Sequence, residues 1–194
     1  SIIPVIDNFQ NSPPIKGIIY NKIIYKTKTI YFKTKYRLQF INITKEIQSF
    51  VKKSRIKTGS LIVQTHHTTF SVWVNEWEKN LIGNESSLGY TPDLKLILDR
   101  FASPNENFSH DDVRDINNPK GRRVDDLPKP NKNGTIDEPR NAHSHAHGLM
   151  LHTSLPLIIE NSVLLLGRWQ NVLVVELDHA RDRIITLLAQ GVGK

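Results

Sequence analysis

The sequence predicts a single α+β domain, mainly antiparallel strands with two or three helices. Three observations predict it. The chain has 194 residues, one domain by length with room for a substantial core. Its apolar runs follow one another with few helical stretches between them, which is not the pattern of a βαβ series. Residues 103–140 are rich in Asn, Asp, Pro, Gly and Arg and nearly free of large apolar groups, so they read as a polar insertion rather than as core. No internal repeat is visible.

Taken in order, residues 1–16 carry Pro4, Pro13 and Pro14 and read as an extended N-terminal arm, ahead of a domain over 17–194. Between 17 and 43, β-branched and aromatic residues predict two or three strands, with a turn at 20–22. At 43–54 the period changes: Ile47, Phe50 and Val51 fall at i, i+3 and i+4, and Thr44 is the expected N-cap of an amphipathic helix. "GSLIVQT" at 59–65 reads as a buried strand. "FSVWVNE" at 70–76 alternates, with Phe70, Val72 and Val74 on one side and Ser71, Trp73 and Asn75 on the other. A helix is expected over 93–103. Past the polar insertion come the apolar runs "SLPLII", "SVLLLGRW", "NVLVVELD" and "RIITLLAQ", with a turn at 160–162 between the first two.

Composition narrows the chemistry. With 26 Lys+Arg against 19 Asp+Glu the net charge is +7, which suits a phosphorylated small molecule, a headgroup or a nucleic acid. The lysines of "IKGIIYNKIIYKTKTIYFKTKYR" alternate with Ile and Tyr, as on a half-exposed strand, and no basic helix, zinc-finger pattern or Arg–aromatic cluster supports nucleic-acid binding. The absence of cysteine excludes disulfides, thiolate metal sites and cysteine nucleophiles. No apolar run nears the roughly 20 residues of a membrane span, and residues 1–9 lack a signal-peptide pattern, so a soluble, cytoplasmic protein is expected.

Histidine is the residue that stands out. Four of the eight lie in "RNAHSHAHGLMLHTS", as His143, His145, His147 and His152. As a strand this segment would put His143, His145 and His147 on one face. As a helix it pairs His143 with His147, and His145 with His152 on roughly the opposite side. Pro139 and Asn141, the latter as a cap, favour a helix start, which Gly148 weakens mildly. A metal would then need ligands from elsewhere, and His67 and His110 are available. His67 sits between two strands, where rigid scaffolds present reactive groups, and points away from its neighbour His66. Glu76 shares the parity of an apolar face although charged: it is either an exposed strand end or a carboxylate reaching a cleft. His110 is followed by Asp111 and Asp112. "GRWQ" at 167–170 breaks two apolar runs, and Arg168 is suited to bidentate phosphate binding. Asp178, Arg181 and Arg183 read as an ordinary turn with salt bridges.

Taken together, "HTTFSVWVNE", the His-Asp pair, "NAHSHAHGLMLHTSL", "GRWQNVLVVELDHAR" and "RIITLLAQG" resemble, in order and spacing over residues 17–191, the YjbQ family, often labelled secondary thiamine-phosphate synthase. The resemblance implies a sandwich-like α+β domain in a homotrimer, with the site near subunit boundaries. It places the family's histidines on His67, His110 and His145, its Asn-Glu on Asn75 and Glu76, its Thr-Ser on Thr153 and Ser154, and its Trp-Gln on Trp169 and Gln170. The chain departs from the family pattern at Trp77, Lys79 and Asn80, at Asn171 in place of Gly, at His143 where Asp is common, and at His152 in place of Gly.

The resulting expectation is a divalent metal, zinc above others, held by His67, His110 and His145 with an open position. Glu76 or Asp111 would be the general base, with Asn75, Thr153, Ser154, Arg168, Trp169 and Gln170 around a phosphorylated substrate. Such a metalloenzyme would carry out thiamine-phosphate synthesis or hydrolysis. The competing expectation is a non-catalytic trimer that binds a phosphorylated metabolite or a metal.

Overall fold

In the computed structural model, residues 23–83, 91–111, 132 and 139–193 are described. The N-terminal arm, the turn at 20–22 and most of the polar insertion lie outside them. The described elements run β1 (Ile23–Lys33), β2 (Gln39–Asn42), α1 (Thr44–Ser54), β3 (Ile56–Thr65), β4 (Phe70–Glu76), α2 (Lys79–Ile82), α3 (Asp93–Phe101), a 3-10 turn (Ser109–Asp111), α4 (Ala142–Gly148), β5 (Ser154–Glu160), β6 (Val163–Leu164), β7 (Gln170–Glu176) and β8 (Asp182–Gly193). All their strand pairings are antiparallel. They form a five-stranded sheet, β1-β8-β3-β5-β6, and a three-stranded sheet, β2-β7-β4. This is the expected antiparallel α+β domain.

Three layers result, and the strand patterns explain them. Leu61, Val63, Leu157, Ile159, Ile185 and Leu187 from the large sheet bury against Phe70, Val72, Val172 and Val174 from the small one, with Ile47 and Val51 of α1 closing the same core. The small sheet's other face, Phe40, Leu173 and Val175, is covered by Ile82 of α2 and Leu98 of α3. β7 is therefore buried on both faces, which accounts for its unbroken apolar run "VLVV". β4 alternates as predicted: Phe70 and Val72 enter the inter-sheet core, while Trp73 packs toward α3. Asn161 and Ser162, both with positive φ, make the tight β5–β6 turn.

Local expectations are corrected at three points. "SVLLLGRW" contributes only Val163–Leu164 as strand. Helix α1 starts at Thr44, but Thr44 does not cap it: Asn42 Oδ1 accepts the Thr44 N–H (3.0 Å) and hydroxyl (2.7 Å), while the Thr44 oxygen accepts the Val172 N–H (2.9 Å). Asn141 is the N-cap residue of α4, yet its side chain makes no capping bond. Asp111, thirty residues earlier, supplies it: Oδ1 accepts the Asn141 and Ala142 N–H groups at 2.9 and 3.0 Å.

Candidate functional site

The turn joining β3 to β4 carries His66, His67, Thr68 and Thr69. His66 Nε2 lies 2.8 Å from Thr186 Oγ1. His67 points the other way, and its Nε2 accepts the Ile184 N–H at 2.9 Å. A neutral imidazole has one donor and one acceptor nitrogen, so Nδ1 of His67 holds the proton. Burial, and next the Arg183 charge, hold its pKa below the ordinary histidine value. That is consistent with the bond, which needs the neutral ring.

β7 and β8 supply a cross-braced ionic wall. Glu176 is fully buried, and Arg183 is almost so. Arg183 Nε donates to Glu176 Oε2 at 2.6 Å, and Nη2 reaches Glu176 Oε1 and Thr69 Oγ1, the latter at 3.0 Å. The Thr34 hydroxyl and the Asp178 N–H donate to the same carboxylate (2.7 and 2.9 Å), and Phe70 lies under the guanidinium, 5.6 Å from Cζ to ring centre. Asp178 in turn accepts from Asn141 Nδ2 (3.2 Å), Arg181 Nε (3.0 Å) and the His179 N–H (2.9 Å). Burial alone would raise the pKa of Asp178, but these donors, Asn141 first among them, outweigh it and hold the carboxyl below its ordinary value.

Helix α4 and the 3-10 turn form the third wall. His145 is half-buried, and its ring lies edge-on to that of His110 with centres 4.8 Å apart. Nε2 of His110 is buried and has no hydrogen-bond partner. The Ser144 hydroxyl donates to the Leu177 carbonyl at 2.6 Å, pinning α4 to the end of β7. A Cβ on Gly148 would stand 3.3 Å from the Thr68 carbonyl, so glycine lets the helix close on the 66–69 turn. The three walls enclose a cavity of about 360 Å³ lined by His66, His67, Thr68, Thr69, His110, Asn141, His145, Asp178, Arg181 and Arg183.

The cavity thus brings together His67, His110 and His145 of the sequence-predicted residues. Asp111 stands just behind it, occupied in capping α4 and in an ion pair with Arg140 (3.5 Å). Glu76 and Asn75 lie at the far end of β4, opposite Gln170 and Asn171, some six residues or about 20 Å of strand away. There Asn75 Oδ1 accepts the Glu76 N–H (2.8 Å), Gln170 Oε1 accepts the Gly167 N–H (2.8 Å), and Arg168 stacks on exposed Trp169. Thr153 and Ser154 are exposed beside the end of β3, on which Thr153 accepts the Thr65 N–H. Within one chain these residues do not share the histidine cavity.

Glu176 and its partner Arg183, the latter read as part of an ordinary turn, were missed as site framework, as was the Asn141–Asp178 pair. One signal was available for Glu176: a charge inside the apolar run "VLVVEL" needs a buried partner. Zinc on three imidazoles does not fit this arrangement, because the accepting nitrogen of His67 is taken by the Ile184 N–H. Among the described residues no group of three or more His, Asp or Glu is placed to hold a metal ion. No described helix is long and apolar enough to cross a membrane.

Comparison with known proteins agrees with this architecture. A UPF0047 protein of Methanothermobacter thermautotrophicus is 24% identical over 85% of this chain and 92% of its own. The UPF0047 protein YugU of Bacillus subtilis is 26% identical over 84% and 98%. A crystal structure of a YbjQ-like protein of unknown function from Sulfolobus solfataricus matches with a TM-score of 0.66 at 24% identity, covering 88% of this chain and 99% of that one. A hypothetical protein from Aeropyrum pernix matches with a TM-score of 0.64 at 25% identity, covering 87% and 99%. Residues 28–192 match the family model described as UPF0047 protein YjbQ-like, and the chain belongs to that family.

Proposed function

We propose that the histidine cavity binds a phosphorylated small molecule, with Arg181 and Arg183 facing the phosphate and the His110–His145 pair exchanging protons with the bound group. The observation that carries this is two arginines and four histidines around one open cavity, with one guanidinium fixed before any ligand arrives. A guanidinium has five N–H donors, more than Glu176 and Thr69 engage on Arg183. Both substrates of thiamine-phosphate synthesis are phosphorylated, so that transferase chemistry falls within the class, as does phosphate-ester hydrolysis. Proton transfer would fall to His145, half-buried at the cavity wall. In the homotrimer that the resemblance implies, Asn75, Glu76, Arg168, Trp169 and Gln170 of a neighbouring subunit would supply the rest of the substrate's surroundings.

A second reading keeps a divalent cation, on His110 and His145 with water. The buried, unpartnered Nε2 of His110 favours it. Zinc would there polarise a phosphoryl oxygen. Calorimetric titration with inorganic phosphate, beside metal analysis of untagged protein, tests both. Saturable phosphate binding that is lost in Arg181→Ala is expected. Absence of phosphate binding to the wild type overturns the first reading, and about one zinc per chain, lost in His145→Ala, favours the second. Turnover of a phosphate ester that disappears in His145→Gln while phosphate binding survives marks an enzyme rather than a carrier.

A further inference from the structure

The core-facing side of α4 carries two histidines that the cavity does not use. His143 and His147, one helical turn apart, are 4% and 0% exposed. Their rings lie edge to face with centres 5.8 Å apart. His147 Nε2 stands 2.8 Å from the Leu98 carbonyl and 3.0 Å from the Ala102 carbonyl. Carbonyls only accept, so Nε2 carries the proton and the lone pair is on Nδ1. That Nδ1 is buried without a partner, and so are both nitrogens of His143. An imidazole whose one N–H is anchored on backbone carbonyls and whose other nitrogen is bare has the arrangement of a metal ligand awaiting its ion. A buried polar nitrogen left bare is destabilising, and three of them within one helical turn call for an occupant.

We propose that His143 and His147 hold one copper(I) ion between Nδ1 of His147 and a ring nitrogen of His143, a second site distinct from the phosphate cavity. Two imidazole nitrogens, each about 2 Å from a shared ion, set ring centres roughly 5 to 6 Å apart, from a bent to a linear arrangement. The observed separation falls in that range. The ion's identity follows from what is missing. With two histidines zinc would need water to complete its four ligands, which a place 0–4% exposed does not admit, and calcium or magnesium requires oxygens, whereas no third His, Asp or Glu is in reach among the described residues. A monovalent d10 ion accepts two neutral nitrogens. It also brings a single charge into a buried place, and the nearby Arg37 is already neutralised by a bidentate pair with Asp99 (2.6 and 3.0 Å). Burial keeps both imidazoles neutral and ready to bind.

The test is anaerobic titration of the whole chain with Cu(I) against a chromogenic chelator. One tightly held equivalent is expected in the wild type. It should be lost in His143→Asn and in His147→Gln and kept in His110→Ala and His145→Ala. No tight equivalent in the wild type overturns the proposal, as does an equivalent that survives in His147→Gln or disappears in His145→Ala. If the His143 or His147 variants fail to fold, histidine-ring nitrogen NMR of the wild type with Ag(I), a redox-inert substitute, decides. A shift of the His147 Nδ1 resonance supports the site, and an unchanged resonance overturns it.

Discussion

The two ends of the sandwich carry comparable inventories of polar residues and use them in opposite ways. At one end Glu176, Arg183, Asp178, Asn141 and Thr69 are buried and bonded to one another, so the cavity they frame is fixed by the fold. At the other end, Trp169 is 61% exposed with Arg168 lying over it, and the Asn75 and Gln170 carbonyls are taken up by local backbone N–H groups. The lesson is that residue type alone does not make a site. A side chain becomes part of one when buried partners restrict it to a single geometry.

The comparison breaks most visibly at the ionic wall. Glu176→Ala strands the Arg183 guanidinium in the core and should cost about 3–5 kcal/mol, read as a lower urea midpoint. A loss under 1 kcal/mol would mean that water reaches the pair and the wall is not a rigid frame.

Acid should weaken the histidine end next. His67, His143 and His147 have folded-state pKa values below 6.5, chiefly because they are buried. As pH falls past 6.5 the unfolded chain therefore takes up protons first, and the stability these rings contribute, whole above that pH, is progressively lost. Asp178, held below its ordinary value of 3.8, adds a further loss only under that pH. Urea midpoints at pH 7.5 and 5.5 check the sign; a higher midpoint at 5.5 contradicts it.

A smaller effect sharpens the role of Asp111. Asp111→Ala removes the cap of α4 and should cost about 1 kcal/mol, with a larger proportional effect on phosphate binding than on stability, since α4 carries His145. The least effect is expected at the exposed end: Trp169→Ala should change stability by no more than about 0.5 kcal/mol. If it nevertheless weakens phosphate binding, the two ends meet across a subunit boundary, and their contrast holds only within one chain.

The antiparallel fold was legible because its signals are periodic and local: the β4 alternation, the i, i+3, i+4 set in α1 and the 160–162 turn each depend on neighbours in sequence. The two histidine partners on α4 were legible for the same reason, once helix was preferred to strand. What could not be read was long-range bonding. Asp111 caps a helix thirty residues on, Thr34 reaches Glu176 across 142 residues, and the His67 tautomer is decided by the backbone of Ile184. Nor does a sequence tell which end of a strand a residue occupies relative to a cavity, and that separates Glu76 from His67.

The bond from Asp111 to the start of α4 has an evolutionary corollary. It ties residue 111 to residues 141 and 142 on either side of a polar stretch, so the positions of His110 and His145 are set without reference to how much chain lies between. The stretch is therefore a place where descendants can gain or shed residues, and where an engineer can splice in a reporter domain, while the chemistry on both sides stays in register.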